Sequence, residues 1–235
     1  MTTGRRRRGT VRLLLAGLAL AWQQAVAGGD ERIVLVGQET LSAAQLGLTA
    51  TGEPPGHALH LTAVVLEQTG WTRREVLAAV AEVAALLAPC RVGLTGVDLL
   101  QVRAPERFHD FHTPAARELA RQLQPGRPTL YFVRDTRQQP AFDAEAIGRG
   151  NSRTRPELAD SVWVTRAAPD VGIVLAHELV HVLADSGAHV AAPGNLMEDR
   201  SAPDNRALTV AQCAQLRTVG TRHGLLQPAA PDRGR

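Results

Sequence analysis

Short apolar segments alternate with amphipathic ones along most of the chain. Residues 58–66 are apolar and rich in β-branched side chains, as in a buried strand. The same pattern predicts strands at 92–102, 129–133 and 161–165, and the first of these three contains two glycines. Residues 114–123 instead show the periodicity of a helix.

Two further helices are predicted from their N-terminal caps. Thr72 precedes Glu75 by three residues, a capping box in which each side chain satisfies a backbone N–H, and the amphipathic segment 76–87 follows. Thr209 and Gln212 have the same spacing near the C-terminus. Strands alternating with helices predict one α/β (α+β) domain in which a sheet lies between helices.

The pattern also suggests where this domain begins and ends. We predict a folded domain at 57–226 and a disordered tail at 227–235. Residues 28–56 have little pattern, and they fit a linker, a short pro-segment or an N-terminal strand at 33–36.

A polar, glycine-rich stretch separates two of the predicted strands. Residues 135–155 lack the apolar periodicity of a buried element, so we predict a surface loop there. Within that loop, residues around 144–147 fit an edge strand.

Residues 1–27 have the three parts of a secretory signal peptide. An arginine cluster is followed by the apolar run 11–22 and then by Ala25-Val26-Ala27, a small-x-small cleavage site. The apolar run is shorter than the roughly 20 residues that span a bilayer. We therefore expect an exported protein, periplasmic or secreted, without stable membrane insertion once the signal is removed; an uncleaved anchor is the alternative.

The positive charge of the chain belongs to this leader. The formal net charge is +3, but five of the 26 basic residues lie in 1–27. The remaining 21 face all 23 acidic residues, for a net charge of −2. Because the rest of the chain has no net positive charge, we do not expect nucleic acid as a partner.

The chain has two cysteines, Cys90 and Cys213. In an exported protein an even number of cysteines favours a disulfide. Neither residue has metal-ligand spacing to a histidine or to the other cysteine. We predict one structural disulfide, with two buried free thiols as the alternative.

The segment with the clearest chemistry is His177-Glu178-Leu179-Val180-His181, on an apolar helix predicted to begin at Asp170. On a helix, His177 and His181 lie one turn apart on the same face, so both imidazoles can bind one Zn²⁺. Glu178 lies to one side of that pair, where it can accept a proton from water without occupying a coordination site.

A third ligand must return to the metal from beyond this helix. Gly187 can adopt the positive φ that ends a helix, which makes His189 the preferred third ligand. Asp185 is the main alternative, although on a continuing helix it would lie about 6 Å too far along the axis. Glu198 and Asp199 are further options.

The other five histidines form no comparable motif. Two of them, His109 and His112, flank a short segment, but no partner cluster lies nearby in the sequence. We interpret all five as surface residues.

The motif, the third histidine and the downstream Met197 together resemble the metzincin clan of zinc endopeptidases. The resemblance implies that His177, His181 and His189 bind zinc, that Glu178 is the catalytic base and that Met197 forms a turn beneath the metal. It also implies a zincin-like fold, with a twisted mixed sheet over an active-site helix and a C-terminal helix. The third histidine comes two residues later than in the usual clan spacing.

We therefore expect a zinc metalloendopeptidase that hydrolyses peptide or protein substrates with a zinc-activated water. Two alternatives stay open. One is a secreted binding or structural domain in which zinc only staples a loop, and the other is a zincin of another clan that uses Asp185.

Overall fold

The computed structural model describes residues 32–48, 54–136, 146–148 and 156–229. The predicted signal peptide and most of the glycine-rich loop lie outside the described residues. Within the described part of the chain, no helix has the length and apolar character needed to cross a membrane.

Nine strands and four α-helices are found in the described residues. The strands are β1 Val34–Ser42, β2 His57–Leu66, β3 Val92–Arg103, β4 Asp110–Phe111, β5 Thr129–Phe132, β6 Asp135–Thr136, β7 Ala146–Gly148, β8 Ser161–Val164 and β9 Gln227–Pro228. The helices are α1 Arg73–Leu87, α2 Thr113–Leu123, α3 Val171–Ala184 and α4 Val210–Arg222. The predicted strands and helices are confirmed, with small shifts at their ends.

One mixed sheet organises the chain, with strand order β1-β3-β2-β5-β8-β7. The four inner strands are parallel, whereas β1 and β7 run antiparallel to their neighbours. The predicted edge strand is thus confirmed as β7, which pairs with β8. Helix α1 connects β2 to β3 and α2 connects β3 to β5, whereas β5 and β8 are buried along their whole length because both faces of the sheet are covered there.

The helices form layers on both faces of the sheet, as predicted. On one face, α1, α3 and α4 contribute to a large apolar cluster that also contains Cys90 and Met197. On the other face, α2 packs over a smaller cluster that includes Tyr131 and Trp163. The long helix α3 is therefore held between the sheet and two other helices, which gives its side chains a rigid base.

Both predicted capping boxes are present. Thr72 accepts a hydrogen bond from the Glu75 backbone N–H, and the Glu75 side chain accepts one from the Thr72 backbone. Thr209 and Gln212 make the equivalent pair of bonds at the start of α4. Burial is slight at Glu75, and hydrogen bonds from Thr72 and Arg166 lower its pKa to about 2.

The sheet reaches beyond the predicted domain at both ends. Strand β1 lies within residues 28–56, where a strand was one of three alternatives, and it pairs with β3 along its length. Strand β9 lies in the segment predicted as a disordered tail and pairs with β2. The predicted domain limits stay a prediction, although the sheet includes residues on either side of 57–226.

The predicted disulfide is present between Cys90 and Cys213. It joins the turn after α1 to the first half of α4 across 123 residues of sequence. Closing so long a loop stabilises the folded chain by about 4–5 kcal/mol on the chain-entropy account. The bond therefore fixes α4 against the rest of the helical layer.

One histidine differs from its prediction as a surface residue. His109 is buried, and its ring Nε2 lies 3.0 Å from the carbonyl oxygen of Ala104. Aromatic and charged residues alternate around it, so the local pattern did not distinguish a buried from an exposed histidine.

Helices α1 and α3 approach each other closely at Gly172. A Cβ added there would lie 2.6 Å from the Cβ of Glu82 and 2.3 Å from its Oε2. We expect Gly172→Ala to lower the free energy of unfolding by about 1–2 kcal/mol, because an added methyl overpacks this contact. Thermal unfolding would show a fall in Tm of several degrees.

Gly187→Ala is the matched control, because an added Cβ would have no atom within 4 Å and its φ is not left-handed. We expect a change within about 0.5 kcal/mol. Equal Tm values for the two variants would contradict the close packing of α1 against α3.

Candidate metal centre

Helix α3 carries two of the histidines on one side, one turn apart. His177 is buried and His181 is half-buried, and the ring centroids lie 4.7 Å apart. The other side chains of α3 are nearly all apolar and buried in the core. Because the helix is anchored along its whole length, the two imidazoles have little freedom to separate.

The ring Nε2 atoms of three histidines meet at one point. His181 Nε2 lies 3.0 Å from His177 Nε2 and 3.0 Å from His189 Nε2, and the third separation is 3.2 Å. These three residues are the group that could hold a metal ion within the described part of the chain. The structure thus brings His189 to the two helix histidines.

Backbone carbonyl groups determine the tautomers of the two helix histidines. His177 Nδ1 lies 2.7 Å from the carbonyl oxygen of Leu196, and His181 Nδ1 lies 2.6 Å from that of Ser186. A carbonyl oxygen only accepts, so each Nδ1 must carry the proton. In the neutral rings each Nε2 then presents a lone pair to the centre.

A carboxylate has the same effect on the third histidine. His189 Nδ1 lies 3.2 Å from Asp199 Oδ1, and this neighbouring negative charge favours the tautomer that carries the proton on Nδ1. All three Nε2 lone pairs consequently face one another about 3 Å apart. Without a cation this arrangement is repulsive, so the donor set fits a bound metal ion better than a hydrogen-bonded cluster.

The spacing and the donor type suit zinc. Zinc bound tetrahedrally at 2.0–2.1 Å from each imidazole nitrogen separates the nitrogens by about 3.3 Å. The observed separations of 3.0–3.2 Å are close to this value. Imidazole is also a preferred ligand of zinc, and hydrogen bonds from Nδ1 to oxygen are typical of zinc-binding histidines.

Burial keeps His177 in the neutral form that binds metal. Desolvation is the main cause that lowers the pKa of His177 below its ordinary value, and the nearby His189 lowers it further. The hydrogen bond to Leu196 acts in the opposite direction.

The prediction that Gly187 ends the helix is wrong. Helix α3 ends at Ala184, and Asp185 adopts the left-handed conformation with φ 47°, whereas φ of Gly187 is not positive. Asp is among the few residues that tolerate this conformation. The next residue is then tied back to the helix, because the Ser186 N–H donates to the His181 carbonyl oxygen at 3.1 Å.

The other predicted ligands have different positions. Asp185 is exposed at the end of the helix and, like Glu198, lies outside the three-histidine group. Asp199 contacts the outer nitrogen of His189. Glu198, Asp199 and His189 border an open concave region of about 420 Å³, which is also lined by Val190, Ala191 and Arg200.

Met197 is buried beside the metal centre in a tight turn. The Glu198 N–H donates to the Asn195 carbonyl oxygen at 3.2 Å, and the Val190 N–H donates to the Met197 carbonyl oxygen at 2.9 Å. The turn therefore holds the chain just after His189. It also supplies the Leu196 carbonyl oxygen that binds His177.

Glu178 follows His177 directly on α3 and is half-buried. Consecutive helix residues are rotated by about 100°, so its carboxylate lies to one side of the histidine pair. Strand β7 also lies against α3 and is the last strand of the sheet on this side in the described residues.

Sequence analysis missed the polar residues that shape the loop after α3. Asn195 and Asn205 are both buried, and their side chains bond to backbone groups of the loop. An asparagine in a polar loop is common, so nothing in the sequence separated these two from surface residues.

No protein-family model matches the sequence, and no curated protein matches it. The chain shares its fold with metalloproteinase-II from Bacteroides fragilis. That likeness has a TM-score of 0.51 and 15% sequence identity, and it covers 72% of this chain. The chain spans about half of that protein, 55% of its length. Archaemetzincin from Methanopyrus kandleri is similar at a TM-score of 0.48 and 15% identity, over 70% of this chain and 97% of that one.

Asp199 is the one side chain among the three groups that contact the histidine Nδ1 atoms. We expect Asp199→Ala to weaken zinc binding by about 10-fold, because His189 loses the group that orients its ring. Competition with a chromophoric chelator measures the Kd for zinc.

Asp204→Ala removes an exposed acid of the same loop and serves as the control. An unchanged Kd in both variants would show that Asp199 does not orient His189. An equal loss of zinc affinity in both variants would instead indicate an effect of the overall negative charge of the loop.

Proposed function

We propose that this chain is an exported zinc-dependent metallopeptidase. The observation that carries the proposal is the convergence of three Nε2 lone pairs, each directed inward by an acceptor at Nδ1. His177, His181 and His189 bind the metal in this proposal, and Glu178 beside them is the catalytic base.

Bound zinc supplies Lewis acidity, which polarises a carbonyl group and acidifies water. Glu178 accepts a proton from the water that attacks the carbonyl carbon of the peptide bond. As the bond between carbon and nitrogen breaks, Glu178 passes this proton to the leaving amine.

The peptide substrate binds in this proposal along β7. An extended peptide can add to an exposed strand edge through backbone hydrogen bonds. Strand β7 is the edge strand next to α3, and its backbone pairs with β8 on one side only in the described residues. An endopeptidase would bind substrate residues from both sides of the cleaved bond along this edge.

Two observations support the peptidase over a structural zinc site. The three-histidine group in the described residues includes no fourth protein ligand, as a catalytic site with one open position requires. The fold is also similar to that of a metalloproteinase. Activity is a property of the site and not of the fold, and the three-histidine group therefore carries the greater weight.

The proposal of export is supported by the leader and by the disulfide. Residues 1–27 have the composition of a signal peptide. The disulfide between Cys90 and Cys213 requires an oxidising compartment to form and persist.

The decisive variant is Glu178→Gln. We expect hydrolysis to fall by about 100-fold or more, because the amide cannot accept the proton from water. Zinc content and Tm should be unchanged, since the glutamine has the same size and binds no metal in this proposal. The measurement is cleavage of a mixed peptide library with and without chelator, alongside metal analysis.

Glu198→Gln makes the same chemical change at the border of the concave region and should remain active. Wild-type hydrolysis that persists in Glu178→Gln would reject the mechanism. A wild-type protein that binds zinc but cleaves no peptide would favour the zinc-stapled structural domain.

A further inference from the structure

Asn195 is the first residue of the turn that contains Met197, and it is almost fully buried. Its Oδ1 accepts a hydrogen bond from the Met197 backbone N–H at 2.8 Å. The same oxygen accepts from Gln212 Nε2 at 3.1 Å, and Asn195 Nδ2 donates to Gln212 Oε1 at 3.0 Å. The two amides therefore form a closed, reciprocal pair.

Gln212 also belongs to the cap of α4. Its Oε1 accepts from the Thr209 backbone N–H at 2.8 Å, in addition to the bond from Asn195. The Gln212 side chain thus both caps the start of α4 and holds the turn. The helix itself is fixed next to this position, because the neighbouring residue, Cys213, forms the disulfide.

The backbone carbonyl group of Leu196 accepts the hydrogen bond from the metal-binding His177. Leu196 lies between Asn195 and Met197, and its carbonyl oxygen is 2.7 Å from His177 Nδ1. On its other side, the Leu196 N–H donates to the Ala207 carbonyl oxygen at 2.7 Å. The direction of the Leu196 carbonyl therefore depends on the Asn195 side chain.

We propose that Asn195 and Gln212 are positioning residues of the metal centre, which hold the Leu196 carbonyl so that His177 presents Nε2 to zinc. This inference rests on the proposed function and adds that Gln212 of α4 helps to position a metal ligand. If the amide pair is lost, the turn can shift, and the His177 ring can rotate or change tautomer. Zinc affinity then falls while the core stays folded.

The sharpest test is Gln212→Glu. Glutamate is as good as glutamine at this position of a capping box, so α4 keeps its cap. Its carboxylate cannot donate to Asn195 Oδ1, however, which breaks the reciprocal pair. We expect the Kd for zinc to rise by about 10-fold, with the Tm of the metal-free protein almost unchanged.

Thr209→Ala is the matched control. It removes the hydroxyl that caps α4 but keeps the Asn195–Gln212 pair. The Tm of the metal-free protein should fall in this variant, and the Kd for zinc should not change. Asn195→Ala, a second variant of the pair, should weaken zinc binding at least as much as Gln212→Glu.

Both quantities are measured on the purified full chain, by competition with a chelator and by thermal unfolding with and without zinc. Wild-type Kd in Gln212→Glu, or a Kd that rises in Thr209→Ala as much as in Gln212→Glu, would overturn the positioning role. In either case the proposed function would be unaffected. A wild-type chain that takes up no zinc would instead overturn the proposed function, and this inference with it.

Discussion

The metal centre depends on the contacts made by the outer nitrogen atoms of its three histidines. Each imidazole has one lone pair to offer, and that lone pair reaches the centre only when the proton is on the outer nitrogen. The Leu196 and Ser186 carbonyl oxygens accept two of those protons, and the Asp199 carboxylate lies 3.2 Å from the outer nitrogen of His189. Without these acceptors, helix α3 would still place two rings together, but either nitrogen of each ring could carry the proton.

All three acceptors come from the segment that follows α3, which makes this loop part of the site. The left-handed Asp185 ends the helix early enough for Ser186 to turn back on His181. Farther on, the turn with Met197 comes back to His177 through the Leu196 carbonyl oxygen, and Asn195 joins this turn to α4. Through the disulfide, α4 is in turn fixed to the end of α1. The apolar core and the polar loop therefore determine the geometry together.

The fold and the site lead to the same interpretation by separate routes. The chain shares its fold with a metalloproteinase at only 15% identity, so few side chains are in common and the likeness speaks for the backbone alone. The chemistry is argued from this chain's own nitrogen and oxygen atoms. Strand β7 connects the fold with the site, because it is an edge strand of the sheet and lies against the helix that carries the histidines.

Sequence by itself determined the features that depend on neighbours in the chain. These features are the capping boxes at Thr72 and Thr209, the buried strands, and the one-turn spacing of His177 and His181. Each follows from the type and spacing of residues that are close together in the sequence. Tertiary structure decided how α3 ends, which residue joins the two histidines, and how Asn195 and Gln212 meet. Those outcomes depend on contacts between distant segments, where the local preference of Gly187 for a left-handed turn was outweighed by the packing and hydrogen bonds of the loop.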